Sequence, residues 1–286
     1  MKDGLKLLSP KTFPPLLREI PDAPKKLYVR GNLPSFDRKW LAVVGSRAAT
    51  PYGRQALHYL VEGLRGYPVV IVSGLAYGID AEAHKVALEA GLPTVAVPGS
   101  GLGWNVLYPR ANVPLARAIL KADGALLSEY EPDFKATDYS FPQRNRIMAG
   151  MCHATLVVEA KEKSGSLITA RLTTEYNREL LVVPGSIFSA ESRGTHQFLK
   201  LGATPVTESG DILRVLGIKT EEKSAAASRG DLSDNERHVL EIIVTPLSRD
   251  DLIEKLELPI SEANILLSTM EIKGLIIEEL SVVRAK

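Results

Sequence analysis

The sequence predicts an α/β fold: an extended Rossmann-like, doubly wound, mostly parallel sheet, followed by a small C-terminal winged-helix domain. Three observations predict it. Short apolar runs recur from Trp40 to Val183, each ending in Gly, Ser, Glu or Pro-Gly. The runs are continuous rather than alternating, as expected of strands covered on both faces. Segments of helical character separate them, and strand–helix alternation specifies a doubly wound domain. Near Ile218 this pattern stops.

The elements follow in order. Residues 1–39 carry Pro10, Pro14, Pro15, Pro21, Pro24 and Pro34. Fixed φ angles and missing amides allow turns and extended pieces but no long helix. This stretch reads as an extension packing on the core, with Leu27–Arg30 as a short edge strand. Residues 40–217 form the Rossmann domain. Its strands are Leu41–Val44, Val69–Val72, Thr94–Val97, Ala125–Leu127, Leu156–Val158 and Leu180–Val183. Helices fit Gly53–Leu64, Asp80–Glu89 and Leu167–Asn177, and another begins at Gly194. Residues 218–231 include KTEEKSAAASRGD, a linker composition. In residues 232–286, helices fit Asp234–Val244, Ser248–Leu256 and Ser261–Lys273, the last with Gly274 as its C-cap. Leu275–Ile277 and Ser281–Val283 then form two short strands, completing a winged helix.

Length and composition narrow the class. The chain has 286 residues, 45% hydrophobic and 24% charged, the mix of a globular protein. The single cysteine, Cys152, excludes an intramolecular disulfide and a multi-cysteine zinc site. The start, MKDGLKLLSPK, lacks the apolar run of a signal peptide. The charge-free stretch Ala90–Pro109 contains four Gly and three Pro, so it reads as a strand and loops rather than a membrane span. A soluble cytoplasmic protein is expected. The net charge of +1 hides an asymmetry: residues 1–230 hold 29 basic and 22 acidic side chains, residues 231–286 hold 6 and 12. A polyanion is drawn to the first part and repelled by the tail.

The chemistry gathers at the ends of the strands, where open α/β sheets place their sites. Gly45-Ser46-Arg47 follows the first strand: Gly admits close approach, Ser offers a hydroxyl and amide, and Arg forks onto a phosphate. Ser73-Gly74-Leu75-Ala76-Tyr77-Gly78-Ile79-Asp80 follows the second and leads into a helix whose amides suit an anion. Asp80 is placed to cap that helix or to hold Arg47. Phe141-Pro142-Gln143-Arg144-Asn145-Arg146 leads into another helix. Cations are disfavoured at a helix start, so these Arg residues point to a ligand, with the aromatic ring for a base. Ser164-Gly165-Ser166-Leu167-Ile168-Thr169 repeats the Gly/Ser-to-helix device just after Lys161 and Lys163. Several such loops on one sheet edge indicate a shared groove for a phosphate-bearing ligand.

Enzymatic signatures are missing from the sequence. Gly99-Ser100-Gly101-Leu102-Gly103 is not a dinucleotide fingerprint, and no Gly-Lys dipeptide exists for a Walker A loop. There is no nucleophile elbow and no zinc-protease motif. His58, His84, His153, His196 and His238 lack metal-ligand spacing. Glu129, Glu131 and Glu159 sit at strand ends, where ligand bonding or loop support suits them better than base catalysis. Cys152 and His153 diverge by about 100° on a helix, which disfavours a thiolate pair. Hydrolytic machinery is thus hard to find in the sequence.

The motifs GSR at Gly45, SGLAYGID at Ser73, FPQRNRI at Phe141, SGSLITA at Ser164 and VPG at Val183 resemble those of the DNA processing protein A family, also called Smf. So does the entry PPLLREIPDAPKKLYVRG from Pro14, and the match runs from Pro14 to Lys286. The resemblance implies an extended Rossmann domain that binds single-stranded DNA. It implies a homodimer that protects incoming strands and loads the recombinase RecA in natural transformation, without metal, nucleotide or catalysis. Carried over by residue, Arg47 is a main phosphate contact, with Gly45, Ser46, Ser73, Gly74 and Ala76 in the same groove. Phe141, Arg144, Asn145 and Arg146 hold a base and the strand backbone. Ser164, Gly165, Ser166 and Thr169 complete the set. The sterile-alpha-motif-like N-terminal domain of some members does not appear in this sequence. The tail, net negative, with Glu262 and Glu271 beside Lys273 on its third helix, is expected to bind protein or to pack rather than to enter duplex DNA. Positions between Phe188 and Leu201 are candidate dimer contacts by analogy. The competing enzyme reading is a lysine-decarboxylase-like nucleoside-monophosphate phosphoribohydrolase, whose loops are similar but whose Thr and catalytic Glu signature is not matched. A transcription regulator with a Rossmann sensor is a third reading, disfavoured by the acidic tail.

Overall fold

A computed structural model describes residues 4–219, 233–243, 247–256, 258–272, 275–279 and 282–285. The chain divides into two compact units at Lys219/Thr220. The expected linker falls almost wholly within 220–232, and the expected C-cap at Gly274 also lies outside the described residues.

The first unit is built on a nine-stranded sheet. In chain order its strands are β1 (Leu5–Leu8), β2 (Leu27–Gly31), β3 (Lys39–Val44), β4 (Val69–Ser73), β5 (Thr94–Ala96), β6 (Ala125–Ser128), β7 (Ala154–Val157), β8 (Glu179–Val182) and β9 (Thr204–Pro205). They lie in the order β1-β2-β6-β5-β4-β3-β7-β8-β9. All pairings from β6 through β9 are parallel, and the two outermost on the β1 side are antiparallel. The run Leu27–Arg30 is therefore not an edge: β2 is paired on both sides, because Leu5–Leu8 adds a strand the sequence reading missed.

The continuous apolar runs are continuous because both faces are covered. Along β3, Trp40, Ala42 and Val44 enter one core, while Leu41 and Val43 enter the other. The period of two sends successive side chains to opposite faces. The helices of the unit are α1 (Pro51–Glu62), α2 (Ile79–Glu89), α3 (Val113–Lys121), α4 (Ser140–Met151), α5 (Ser166–Glu175), α6 (Arg193–Lys200) and α7 (Ser209–Val215). Leu57 and Leu60 of α1, Val86 of α2 and Leu213 of α7 fill one core. Met148 of α4 and Leu167 of α5 fill the other, together with Phe13, Leu17 and Ile20 from the Pro-rich stretch. Those three residues are at most 5% exposed. Gly150 of α4 leaves the room for Leu17 and Ile20 to approach the helix.

Two topological facts position the site. The chain runs outward from β3 through β4 and β5 to β6 in one direction, and from β7 through β8 to β9 in the other. Neighbouring strands β3 and β7 are thus followed by helices on opposite faces: α1 in one core, α5 in the other. Their loops diverge and leave a crevice beyond the strand ends, the switch point at which such sheets bind ligands.

The second unit contains α8 (Asp234–Ile242), α9 (Arg249–Lys255) and α10 (Ile260–Ile272), with β10 (Leu247–Ser248), β11 (Ile276–Glu279) and β12 (Val282–Ala285). The strands pair antiparallel in the order β10-β12-β11. Val239, Leu252, Leu267 and Val283 share its core. Three helices and a small antiparallel sheet form a winged helix, as expected.

Candidate functional site

A cleft of about 540 Å³ opens at the β3/β7 switch point. The loop after β3, the first turns of α4 and the loop entering α5 line it. Of the residues expected from the sequence, Gly45, Ser46, Arg47 and Ala76 line it on one side. Phe141, Arg144 and Asn145 line it from α4, and Ser164, Gly165, Ser166 and Thr169 from the α5 entry.

Glycines set the shape of the loop after β3. A Cβ on Gly45 would lie 2.7 Å from Ile79, so only Gly lets the loop rest on α2. The first amide of α2, at Ile79, donates to the Ser46 carbonyl (3.1 Å). Gly78 has φ +72°, and a Cβ there would lie 2.2 Å from the Ser46 carbonyl oxygen. The loop is held from beneath, and Arg47 is left exposed at its crest. Its guanidinium carbon lies 5.1 Å from the centroid of the Phe141 ring. That ring in turn lies against Gly99, where a Cβ would come within 2.6 Å. Tyr108 tilts towards it, ring centroids 5.7 Å apart. The result is an exposed guanidinium beside a half-buried aromatic face.

Arg144 plays a different part. It is 4% exposed. Its guanidinium donates to the carbonyls of Gly74 (2.6 Å) and Val97 and, through Nε, to Asn145 Oδ1 (3.1 Å). Burial lowers its pKa to about 10, with the Asp80 charge opposing the fall. It stays protonated at neutral pH and puts fixed positive charge beneath the cleft. Gly74 does not line the cleft. Its missing side chain makes room for Arg144, since a Cβ would lie 2.3 Å from the guanidinium.

Asp80 does not cap α2: the N-cap position is Gly78, and Asp80 lies in the first turn. Its carboxylate accepts the Gly74 amide (3.1 Å). Burial pushes its pKa up, and the Arg144 charge, the amides of Ala76 and Gly74, and the Arg47 charge pull against that. The intervening Leu75 has φ 58°. A non-glycine residue in that region costs roughly 1–2 kcal/mol. The turn is secured by burial of the Leu75 side chain and by Asn112 Nδ2, which donates to the carbonyls of Leu75 (2.8 Å) and Ala76 (3.1 Å).

Besides Gly74, two expected contacts are not brought into the cleft. Ser73 is fully buried, and its hydroxyl donates to the Val43 carbonyl (2.6 Å), tying β4 to β3. Arg146 bonds Glu129 and donates to the Asp22 carbonyl (2.7 Å). Residues two apart on a helix point about 200° apart, so Arg146 leaves the cleft when Arg144 faces it. Phe141, Arg144, Asn145 and Met148 share the cleft face at spacings of three and four. That spacing is the signal that would have excluded Arg146.

At the α5 entry, the Ser164 and Ser166 hydroxyls bond each other (2.7 Å), and Asn145 Nδ2 donates to the Gly165 carbonyl (3.3 Å). Thr169 is 1% exposed, and its hydroxyl has no partner among the described residues. A buried hydroxyl without a partner carries a desolvation penalty that a bound acceptor would relieve. Lys161 and Lys163, noted in the sequence but not assigned to the site, line the cleft and are exposed. Lys161 also pairs with Glu191 (3.0 Å). Asp138, Pro142 and Ile168 complete the rim, where Ile168 is 38% exposed.

The carboxylates at the strand ends serve structure. Glu159 accepts from the amide (3.0 Å) and hydroxyl of Thr50, and so holds the start of α1. Glu129 pairs with Arg146, and Glu131 with Lys26 and Tyr28. Cys152 is buried, and burial raises its thiol pKa well above the usual value. His153 Nδ1 accepts from the Trp40 amide (3.1 Å). Among the described residues no cluster of His, Cys, Asp or Glu is arranged to hold a metal ion, and no helix is long and apolar enough to cross a membrane.

Comparison with known proteins places this geometry in a family. Residues 5–217 match the family model described as DNA recombination-mediator protein A, and residues 223–279 match the DprA winged helix domain. Protein Smf of Escherichia coli is 44% identical over 204 residues, which are 71% of this chain and 54% of that protein. DNA processing protein DprA of Streptococcus pneumoniae is 44% identical over 201 residues, 70% of each chain. The match thus spans about half the length of the E. coli relative and more of the pneumococcal one. Among solved structures, the pneumococcal protein superposes with a TM-score of 0.68 at 40% identity, covering 74% of this chain and 75% of its own. DNA processing protein A of Helicobacter pylori superposes with a TM-score of 0.66 at 31% identity, covering 75% and 96%. The latter structure is described by its single-stranded DNA binding mode.

Proposed function

Because the chain belongs to the DNA recombination-mediator protein A family, we propose that its cleft binds single-stranded DNA, and that the protein handles such strands in recombination without catalysing a reaction. One observation carries the reading: Arg47 and Phe141 sit side by side at the cleft, an exposed guanidinium against an aromatic ring. A guanidinium grips a phosphate without reading sequence, and a ring stacks any unpaired base for roughly 1–3 kcal/mol. Duplex DNA buries the base faces such a ring needs. Arg144, Lys161 and Lys163 add positive charge, while Asp80 is neutralised from within the fold.

The absence of catalysis is part of the proposal. Asp80 and Glu159 are buried and already hydrogen-bonded, leaving neither free to act as the base a phosphoribohydrolase needs. The further roles that the family resemblance implies, protection of incoming strands in natural transformation and loading of RecA, belong to the same proposal. So does a homodimer: Ile187, Phe188 and Leu201 are 75%, 91% and 81% exposed, large apolar side chains available to a second copy.

The test is fluorescence anisotropy of labelled single-stranded and duplex oligonucleotides across a salt series, with the wild type and Arg47→Ala. Single strands should bind in preference to duplex. Arg47→Ala should weaken that binding about 10–100-fold, the value of one charged hydrogen-bonding group. Its salt slope should fall by about 0.7, one phosphate contact. Equal or absent binding by both proteins would overturn the reading and make nucleotide hydrolysis the next assay.

A further inference from the structure

The basic and aromatic surface does not stop at the cleft. Tyr77, Tyr108 and Pro109 share a smaller pocket with Arg47 and Phe141, so the cleft wall continues into the loop before α3. Tyr77 and Tyr108 are 44% and 42% exposed. The loop is anchored where it meets the cleft: the Tyr108 amide donates to the Ser100 hydroxyl (3.2 Å), and Asn112 holds the Leu75–Ala76 turn.

Beyond Tyr108, two exposed arginines converge on Trp104. Arg110 donates to the Trp104 carbonyl. The Arg117 guanidinium, carried on α3, lies 4.2 Å from the Trp104 ring centroid. Buried Arg30 lies 4.8 Å from the same centroid and donates to the Leu102 carbonyl (3.2 Å). Neither Arg110 nor Arg117 forms an ion pair among the described residues. The nearby carboxylate of Glu131 is engaged by Lys26 and Tyr28. An arginine stacked on indole spends its flat face on the ring and keeps its N–H edge for a forked bond to a phosphate. Stacking also fixes the side chain before the ligand arrives, so less freedom is lost on binding.

We infer that Trp104, Arg110 and Arg117 form a second phosphate-gripping station, which takes the backbone of a nucleic acid strand as it leaves the cleft past Tyr108. This rests on the reading of the cleft as a single-strand groove. The station acts on strand length: a short oligonucleotide occupies the cleft alone, and a longer one reaches both.

The experiment measures affinity of the full chain for oligothymidines of about 4 to 16 nucleotides, the span typical of single-strand grooves. It compares the wild type, Arg47→Ala, the double variant Arg110→Gln/Arg117→Gln, and Arg65→Gln/Arg214→Gln, which removes the same charge from the turn after α1 and from α7. Wild-type affinity should rise with length. The Arg110/Arg117 variant should match wild type on the shortest binding oligomer, lose about 10–100-fold on the longest, and show a salt slope there reduced by about 1.4, two phosphate contacts. The Arg65/Arg214 variant should retain the length dependence. Equal length dependence in the Arg110/Arg117 variant and wild type would overturn the second station while leaving the cleft intact. Equal losses in both charge-removal variants would overturn it too, because net charge would then explain the effect. No binding at any length, or binding indifferent to Arg47→Ala, would instead sink the reading of the cleft.

Discussion

Replacing Arg144 by Met should show that this buried cation is a structural support of the cleft. The side chain donates to two buried carbonyls and to Asn145, and its charge is the largest opposing the burial of Asp80. Its own pKa is lowered to about 10. Against 12.5, that is a penalty of about 3 kcal/mol for holding the charge in the interior. Met removes the penalty and fills much of the same volume. It also leaves two carbonyls unbonded, at about 1–3 kcal/mol each, and a buried carboxylate without its counter-charge. Removing one partner of a buried charge pair costs about 3–5 kcal/mol net. For a unit of this size that lowers the melting temperature by roughly 6–20 °C. The protein's two tryptophans, Trp40 and Trp104, both lie in the first unit, so intrinsic fluorescence reports that unit. Loss of Arg144 raises the Asp80 pKa further, so the folded state holds a proton that the unfolded state gives up. A raised carboxyl contributes stability at low pH that is lost as pH rises through its folded pKa. The deficit of Arg144→Met should therefore be largest at neutral pH and shrink towards pH 5. Asp80→Asn in the same background should restore part of the loss, a coupling readable by double-mutant cycle. A loss below about 1 kcal/mol, or a deficit independent of both pH and Asp80, would refute this account.

Three further predictions concern other parts of the molecule. His84 is fully buried against the Thr94 hydroxyl (2.7 Å), and burial pushes its pKa from 6.5 to about 3. Its contribution is complete above pH 6.5 and is lost as pH falls towards 3, on the order of a few kcal/mol, so His84→Gln should flatten the acid side of the urea-stability profile; an unchanged profile would assign the acid sensitivity elsewhere. Gly78→Ala should weaken single-strand binding at least about tenfold, because a Cβ at φ +72° meets the carbonyls of Ser46 (2.2 Å) and Arg47 (2.5 Å) and must shift the Arg47 loop; wild-type affinity in the folded variant would contradict this. Ser233 and Glu236 cap α8 reciprocally, through bonds of 3.3 and 2.9 Å. Ser233→Ala should therefore lower the stability of the second unit by about 1 kcal/mol, seen as faster amide exchange across α8, while the tryptophan transition of the first unit stays in place.

The order of strands and helices was legible in the sequence because both signals are local. Six continuous apolar runs, each punctuated by Gly, Ser, Glu or Pro-Gly, correspond to β3 to β8 with ends displaced by at most two residues. Short or solvent-facing elements escaped: β1 alternates weakly and shows Leu7 to solvent, and α3 and α7 lack long apolar stretches. The site was legible as loops but not as side chains. GSR, FPQRNR and SGSLITA are marked by residue type, and the sheet topology brings all three to the β3/β7 crevice.

Sequence alone thus marked the loops that line the cleft and the succession of two units, since composition and periodicity are properties of neighbouring residues. Only the tertiary structure decided what each polar group does there. Arg47 and Arg146 are the same residue type in equally suggestive motifs, yet one is exposed beside Phe141 and the other is bonded to Glu129 and the Asp22 carbonyl. Ser73 and Thr169 are both buried hydroxyls, but one is satisfied by Val43 and the other has no partner among the described residues. The difference lies in which way a side chain points and what comes to meet it. Contacts between residues some 70 to 130 positions apart, such as Arg144 with Gly74 or Arg146 with Asp22, are set by the packing of whole elements.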